Sequence, residues 1–332
     1  MKARGFVPAP AGAPLPAAPI APAASVRRLS LQVASRLDGL LQGDHLGYLP
    51  GPGSEPAEAR AYSPGDDVRR IDWSVTARTG DPYVRDAVAE RELETTLLLD
   101  LTASMSFGTA RSEKREVAVA LAAAVGHLAA GPGDRLGAIV LSDALRRLPA
   151  RGGRAASLAL LHVLQTTRPS DGGGPSLAEG LVAVANPPRR RGLVVVVSDL
   201  IEPASETGAG APGTAAGDPS WAGPLRMLAH RHDVVVAEIL DPREMELPSL
   251  GVLRLVDPES GRHLEVQTSD RRVRERYAEA ARARRARHAD AVRRARAGPL
   301  VLRTDRDWLP ELAVFLATRR RLRAAGRPHT AR

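Results

Sequence analysis

The residues best suited to chemistry in this chain are two carboxylates, each placed at the end of a short apolar run. Thr95 to Asp100 (TTLLLD) leads into Leu101-Thr102-Ala103-Ser104, and Leu193 to Ser198 (LVVVVS) leads into Asp199. A carboxylate with hydroxyls two and four residues on, joined by a second carboxylate from a neighbouring strand end, makes an all-oxygen set. Such ligands suit a hard cation, Mg2+ or Mn2+, with water completing an octahedron. The same residues have a plainer use, in which Asp100 caps a turn while Thr102 and Ser104 satisfy loop backbone groups. Phosphoryl hydrolysis is a third use of the two acids. An aspartyl-phosphate phosphatase, however, needs a second acid two residues after its nucleophile, where this chain has Thr102. The chain contains no P-loop and no GxSxG elbow, and the glycine-rich Gly172-Gly173-Gly174-Pro175-Ser176 lacks the Lys of a phosphate cradle.

Both carboxylates need strands to position them. Continuous apolar runs of this length are the mark of strands buried on both faces of a parallel sheet. Arg135 to Ser142 and Val234 to Leu240 read as further strands of the same kind. Between them lie helical patterns: Glu113 to Ala130, with Val117, Leu121, Ala124, Val125 and Leu128 on one face, then Ala155 to Gln165, Leu177 to Ala185, and a helix around Leu225 to Ala229. Alternation of strand and helix predicts an α/β doubly wound, mainly parallel sheet flanked by helices, with ligands at the carboxyl ends of its strands. Outside this region, Val26 to Leu41 reads as a helix and residues 43 to 90 as turn-rich hairpin and loop. Gly251 to Val256 and His263 to Gln267 read as a hairpin. An Arg-rich helix at 271 to 297, a strand near Leu300 to Leu302 and a helix from Trp308 to about Leu322 close the chain.

Composition narrows the chemistry further. The absence of cysteine excludes disulfides, thiolate catalysis, iron–sulfur clusters and Cys-based zinc sites, and fits a reducing, cytoplasmic setting. Aromatic residues make up only 3% of the chain, too few for a run of base-stacking platforms. No apolar stretch approaches a membrane span, and six prolines between Pro8 and Pro22 would destroy a signal-peptide helix. The net charge of +9 is concentrated in eleven arginines between 271 and 297 and six more from Arg319 to the end, on an otherwise acidic body. The Arg-rich helix reads first as a solvated face, and alternatively as a surface for nucleic acid or an acidic partner. His127 and His162 read as packing or surface residues.

Asp100, Thr102 and Ser104 resemble the Asp-x-Ser-x-Ser strand-end motif of von Willebrand factor A domains, with Thr in place of the first Ser. Arg60 to Arg78, reading RAYSPGDDVRRIDWSVTAR, closely resembles the signature of the bacterial family called domain of unknown function 58, in which it precedes such a domain. The resemblance runs from about Gly43 to Phe315. It implies a metal held by Asp100, Thr102 and Ser104, a Thr from a second loop, and Asp199, with a partner's carboxylate completing the shell. Pro175 stands where the second-loop Thr is expected, which makes Ser176 the candidate there and weakens the expected affinity for Mg2+ or Mn2+. The resemblance also implies a non-enzymatic adaptor or co-chaperone working with a MoxR-type AAA+ ATPase. Within the signature, Arg60, Tyr62, Asp66, Asp67, Arg69, Asp72, Trp73 and Arg78 have two readings. They dock a partner beside the metal, or they hold the turn through Asp–Arg pairs with Trp73 anchored on the A-like domain.

The expected organisation is a disordered Pro/Ala-rich leader at 1–24, then a small module at 25–93 comprising a helix and the β-rich, irregular signature. The von Willebrand A-like domain follows at 94–245. A hairpin, the Arg-rich helix and a closing strand and helix at 246–322 pack on it, and 323–332 is a basic tail.

Overall fold

The computed structural model describes residues 23–43, 59–64, 68–85, 93–131, 133–168, 170, 172–186, 191–202, 217–256 and 263–325. The expected leader through residue 22, most of the 203–219 loop and the tail beyond 325 lie outside the described residues. At the centre is a six-stranded sheet made of β3 (Glu94–Asp100), β4 (Arg135–Leu141), β5 (Leu145–Gly152), β6 (Leu193–Ser198), β7 (Asp233–Leu240) and β10 (Gly298–Arg303). Its spatial order is β10-β7-β6-β3-β4-β5, and all pairs are parallel except β4 with β5. The architecture is the doubly wound, mainly parallel α/β sheet that strand and helix alternation predicted.

Period-two alternation sends successive side chains of each strand to opposite faces. Leu97, Leu99, Ala138, Val140, Val195 and Val197 enter one core, while Leu98, Ile139, Leu141, Val194 and Val196 enter the other. The first core is covered by α3 (Lys114–Leu128), α4 (Gly153–Thr166), α8 (Leu309–Ala325) and α1 (Ala23–Gly43). The second is covered by α5 (Leu177–Ala185), α6 (Ala222–Arg231) and α7 (Arg271–Arg294). Leaving β3, the chain steps through α3 to β4 on one side. It later returns through α5 to β6 on the other side of β3. The strand order therefore reverses between β3 and β6, and an open sheet splays into a crevice at the carboxyl ends of such a pair.

Several expected boundaries shift. The N-terminal helix is part of the main core, with Val33 and Leu37 buried against α3 and its neighbours. The C-terminal segment is likewise integral, since β10 adds an edge to the sheet beside β7 and α8 continues to Ala325. Around the signature, β1 (Ala59–Ala61) pairs antiparallel with β2 (Tyr83–Arg85), and between them α2 (Trp73–Thr79) forms where only hairpin and loop were expected. Asp72 explains the helix: its Oδ1 accepts from the N–H groups of Ser74 and Val75 at 3.0 and 3.3 Å, and Gly80 ends it at φ +82°. β5 was also unexpected, an edge strand whose residues are mostly exposed. β8 (Val252–Val256) and β9 (His263–Gln267) form the expected hairpin.

Candidate functional site

At the crevice between β3 and β6, Asp100 closes the first strand and is buried. Its Oδ1 accepts from the Thr102 N–H at 3.1 Å and from the Thr102 hydroxyl at 2.6 Å. Thr102 Oγ1 lies 3.5 Å from Ser104 Oγ, which sits in the 3-10 turn Ala103–Ser106. The hydroxyl of Ser198, the last residue of β6, donates to Asp100 Oδ2 at 2.7 Å and accepts from the Leu200 N–H at 2.9 Å. Leu200 is held at φ +60°, a left-handed conformation unfavourable for a branched side chain. Strain of this kind persists where surrounding structure over-determines it, and it collects at functional sites. Burial pushes the Asp100 carboxyl up to about 6, aided by the charge of Asp199 and opposed by the hydrogen bonds from Thr102 and Ser198.

Asp199 is at the same sheet end, 1% exposed, but it faces a different partner. Its Oδ2 lies 2.5 Å from Lys114 Nζ, and its Oδ1 accepts from the Ile201 N–H at 2.9 Å. Lys114 is fully buried at the start of α3, and its Nζ is also 2.5 Å from Glu244 Oε1 and 5.8 Å from the Phe107 ring centre. Burial alone would depress this ammonium, but the charges of Asp199 and Glu244 outweigh it and hold the group above its ordinary value. Glu244 is fixed by a capping box with Asp241 at the end of β7. Asp241 in turn accepts from the Thr109 backbone and hydroxyl and from the Thr304 hydroxyl, tying the loop after β3 to the end of β10.

The structure thus brings together Asp100, Thr102 and Ser104, and adds Ser198. Ser176 is used elsewhere: its hydroxyl accepts from the Glu179 N–H and donates to the Glu179 carboxylate, capping α5. The glycine-rich loop nonetheless comes close, because a Cβ on Gly174 would run into the Ser142 carbonyl oxygen with Thr102 Cγ2 3.7 Å away. As a donor set for a hard cation, the carboxylate and hydroxyls of the β3 loop fit. The carboxylate of Asp199, salt-bridged to Lys114, and the hydroxyl of Ser176 are already engaged.

Sequence reasoning missed Lys114, Glu244 and Asp241. Lys114 carried one signal, being one of only two lysines among 47 basic residues.

In the signature, Asp72 caps α2, Tyr62 is half-buried with its N–H on the Pro82 carbonyl, and Arg78 Nε donates to the Ser74 carbonyl. Arg69 is exposed, Arg60 lies in β1, and Asp66 and Asp67 fall outside the described residues. Trp73 does not anchor the segment as expected: it is 71% exposed, because the first turn of the short α2 turns its side chain to solvent. On α7, Arg285, Arg293 and Arg294 pair with Glu238, Asp290 and Asp218, so part of the basic helix is matched by the chain's own acids. Among the described residues no helix is long and apolar enough to cross a membrane.

A model of the family described as "Protein of unknown function DUF58" matches residues 58–287. The chain is 47% identical over 306 residues to "Uncharacterized protein Rv1480" of Mycobacterium tuberculosis, covering 92% of each. Among solved structures it is similar to the conserved hypothetical protein BatB from Bacteroides thetaiotaomicron, with 16% identity and a TM-score of 0.40 over 70% of this chain and 99% of that one. It is also similar to the SpRpn10 VWA domain, with 10% identity and a TM-score of 0.34 over 67% and 93%.

Proposed function

The chain belongs to the family described as protein of unknown function DUF58, and from that premise we propose that it is a non-enzymatic protein-docking module that receives a partner's carboxylate at the crevice between β3 and β6. One observation carries the reading. Asp100, Thr102, Ser104 and Ser198 converge within a few ångströms at the point where strand order reverses, which sets three hydroxyl oxygens around one buried carboxylate. A divalent cation, Mg2+ or Mn2+, bound by Asp100, Thr102 and Ser104 would supply the positive charge that a partner Asp or Glu needs. Asp100 provides the anionic ligand, Thr102 and Ser104 provide neutral oxygens, and Ser198 orients the Asp100 carboxylate from the neighbouring strand.

The partner class is the MoxR-type AAA+ ATPase that the family resemblance implies, with this chain as its adaptor or co-chaperone in the cytoplasm. Hydrolytic use of the same acids lacks support, since a second acid at position 102 is missing. The test is binding of the purified chain to the MoxR-type ATPase of the same organism, measured by biolayer interferometry in Mg2+ and in chelator. Asp100→Ala is expected to abolish binding with the circular dichroism spectrum unchanged. Full binding by that variant, or equal binding in chelator, would overturn the metal-bridged reading.

A further inference from the structure

The end of the sheet carries a cation of the chain's own. Asp199 and Glu244 are both withdrawn from solvent, and buried carboxylates persist as anions only when a charge and hydrogen bonds compensate them. Lys114 supplies that charge from the start of α3, with its ammonium 2.5 Å from each. The residue type is informative. This chain draws on Arg almost everywhere, and Lys114 is the single lysine among the described residues. An ammonium is a compact point charge with three rotatable donors, whereas a guanidinium is a broad planar fork. The space between Asp199, Glu244 and the Phe107 ring suits the former. Asp100 differs in kind, for its carboxylate is held by neutral donors, the Thr102 N–H and the hydroxyls of Thr102 and Ser198.

We propose that Lys114 is the resident cation of this crevice: it keeps Asp199 and Glu244 as its own counter-ions, so that a divalent ion at this end of the sheet is held by the β3 loop without Asp199. The inference rests on the docking reading only for the divalent ion. The ammonium cluster stands without it. It makes Lys114 a specificity-determining residue. With Asp199 engaged and a fixed positive charge nearby, the crevice is set for a weakly held ion that a partner's carboxylate completes.

The chain offers an unusually clean test, because protein labelled with 15Nζ-lysine contains only Lys2 and Lys114. Lysine-selective NMR on the full chain is expected to give one slowly exchanging ammonium signal, from Lys114, which Asp199→Asn shifts and Lys114→Arg removes. Millimolar Mg2+ is then added, with binding followed independently through the backbone amides of Thr102 and Ser104. The Lys114 signal is expected to keep its slow exchange while those amides shift. Loss of the signal, or its passage into fast exchange as Mg2+ binds, would show that the metal takes Asp199 and would overturn the proposal. So would absence of a slowly exchanging ammonium before any metal is added. If the β3-loop amides never move, the metal reading fails while a protected Lys114 signal still upholds the ammonium cluster. In parallel, the double variant Lys114→Met with Asp199→Asn, which conserves the net charge of the cluster, is expected to change Mn2+ affinity by less than about threefold and Asp100→Asn by more than about tenfold. A tenfold loss in the double variant would also refute it.

Discussion

Replacing Lys114 by methionine removes the positive charge and keeps most of the buried stem, so it isolates what the ammonium does. Two carboxylates within 2.5 Å of Nζ, Asp199 and Glu244, are left at the end of the sheet without a cation. Breaking a buried pair by deleting one partner destabilises by about 3–5 kcal/mol. For a chain of this size that corresponds to roughly 4–7 °C in Tm. The loss has a pH signature. Burial already raises the Glu244 carboxyl against the opposing charge of Lys114, so without Lys114 it rises further in the folded state. The variant's deficit relative to wild type is therefore small at pH 4.5 and grows as pH rises toward 8. Adding Glu244→Gln removes one of the orphaned charges and is expected to recover at least about 1 kcal/mol at pH 8. The assay is urea unfolding followed by circular dichroism at several pH values. A deficit below about 1 kcal/mol, or one that does not vary with pH, would refute the reasoning.

Other substitutions probe other parts of the argument. In metal-free protein, the Asp100 carboxyl is raised to about 6 mainly by burial, so ionising it works against folding, and that penalty develops as pH climbs from about 4 to about 6 and persists above. Asp100→Asn is thus expected to raise the metal-free Tm at pH 7.5 by several degrees and to leave it unchanged at pH 4, as measured by scanning fluorimetry. Burial, aided by Arg284, depresses His288 to about 4, and its ring packs edge-on to Trp221 at 5.7 Å. Its neutral form contributes stability that is complete above about pH 6.5 and is lost as pH falls toward 4, by about 3 kcal/mol in all. His288→Gln is expected to flatten that acid limb in urea titrations. Asp72→Ala removes the cap of α2 and is expected to cost about 1 kcal/mol, visible as increased hydrogen exchange at Ser74 and Val75 with the central sheet unaffected.

What could be read in the sequence follows physical lines. The strands β3, β6 and β7 announce themselves because both faces are buried, which leaves near-continuous runs of Leu and Val. β5, with the sequence LRRLPARG, carries no such run because an edge strand is protected by charge and proline rather than by apolar neighbours. α2 was illegible for a related reason: none of its residues is buried, so no apolar stripe marks it, and only the Asp72 cap and Gly80 betray its ends. In the site, Asp100, Thr102 and Ser104 share one loop, and their spacing is their geometry. The salt bridges of Asp199 and Glu244 to Lys114 span 85 and 130 residues, and no local pattern encodes a contact of that range. Lys114 stands in the run Arg111-Ser112-Glu113-Lys114-Arg115-Glu116, where a charged residue reads as solvated surface.

The same long-range bonds link the candidate site to the far edge of the sheet. Thr109, five residues beyond Ser104, donates its N–H and hydroxyl to Asp241 at the end of β7, and Thr304 at the end of β10 donates to the same carboxylate. Burial would push the Asp241 carboxyl up, but hydrogen bonds from Thr109, Arg243 and Thr304 outweigh it and hold it ionised. Asp241 also caps the turn that positions Glu244 on Lys114, and Lys114 opens α3, the helix under the first core. A ligand that moves the β3 loop must therefore act against β7, β10 and α3 together. That coupling gives the C-terminal segment a reason to be built into the sheet. Without β10 there is no Thr304 to complete Asp241, and without Asp241 the two ends of the acidic cluster lose their common anchor. Thr304→Val leaves the fold's apolar content intact, so it is expected to loosen the loop from Thr102 to Thr109, measured as faster amide exchange there, while β3 and β6 stay protected. Unchanged exchange in that loop would mean that the site is held from its own strand ends alone.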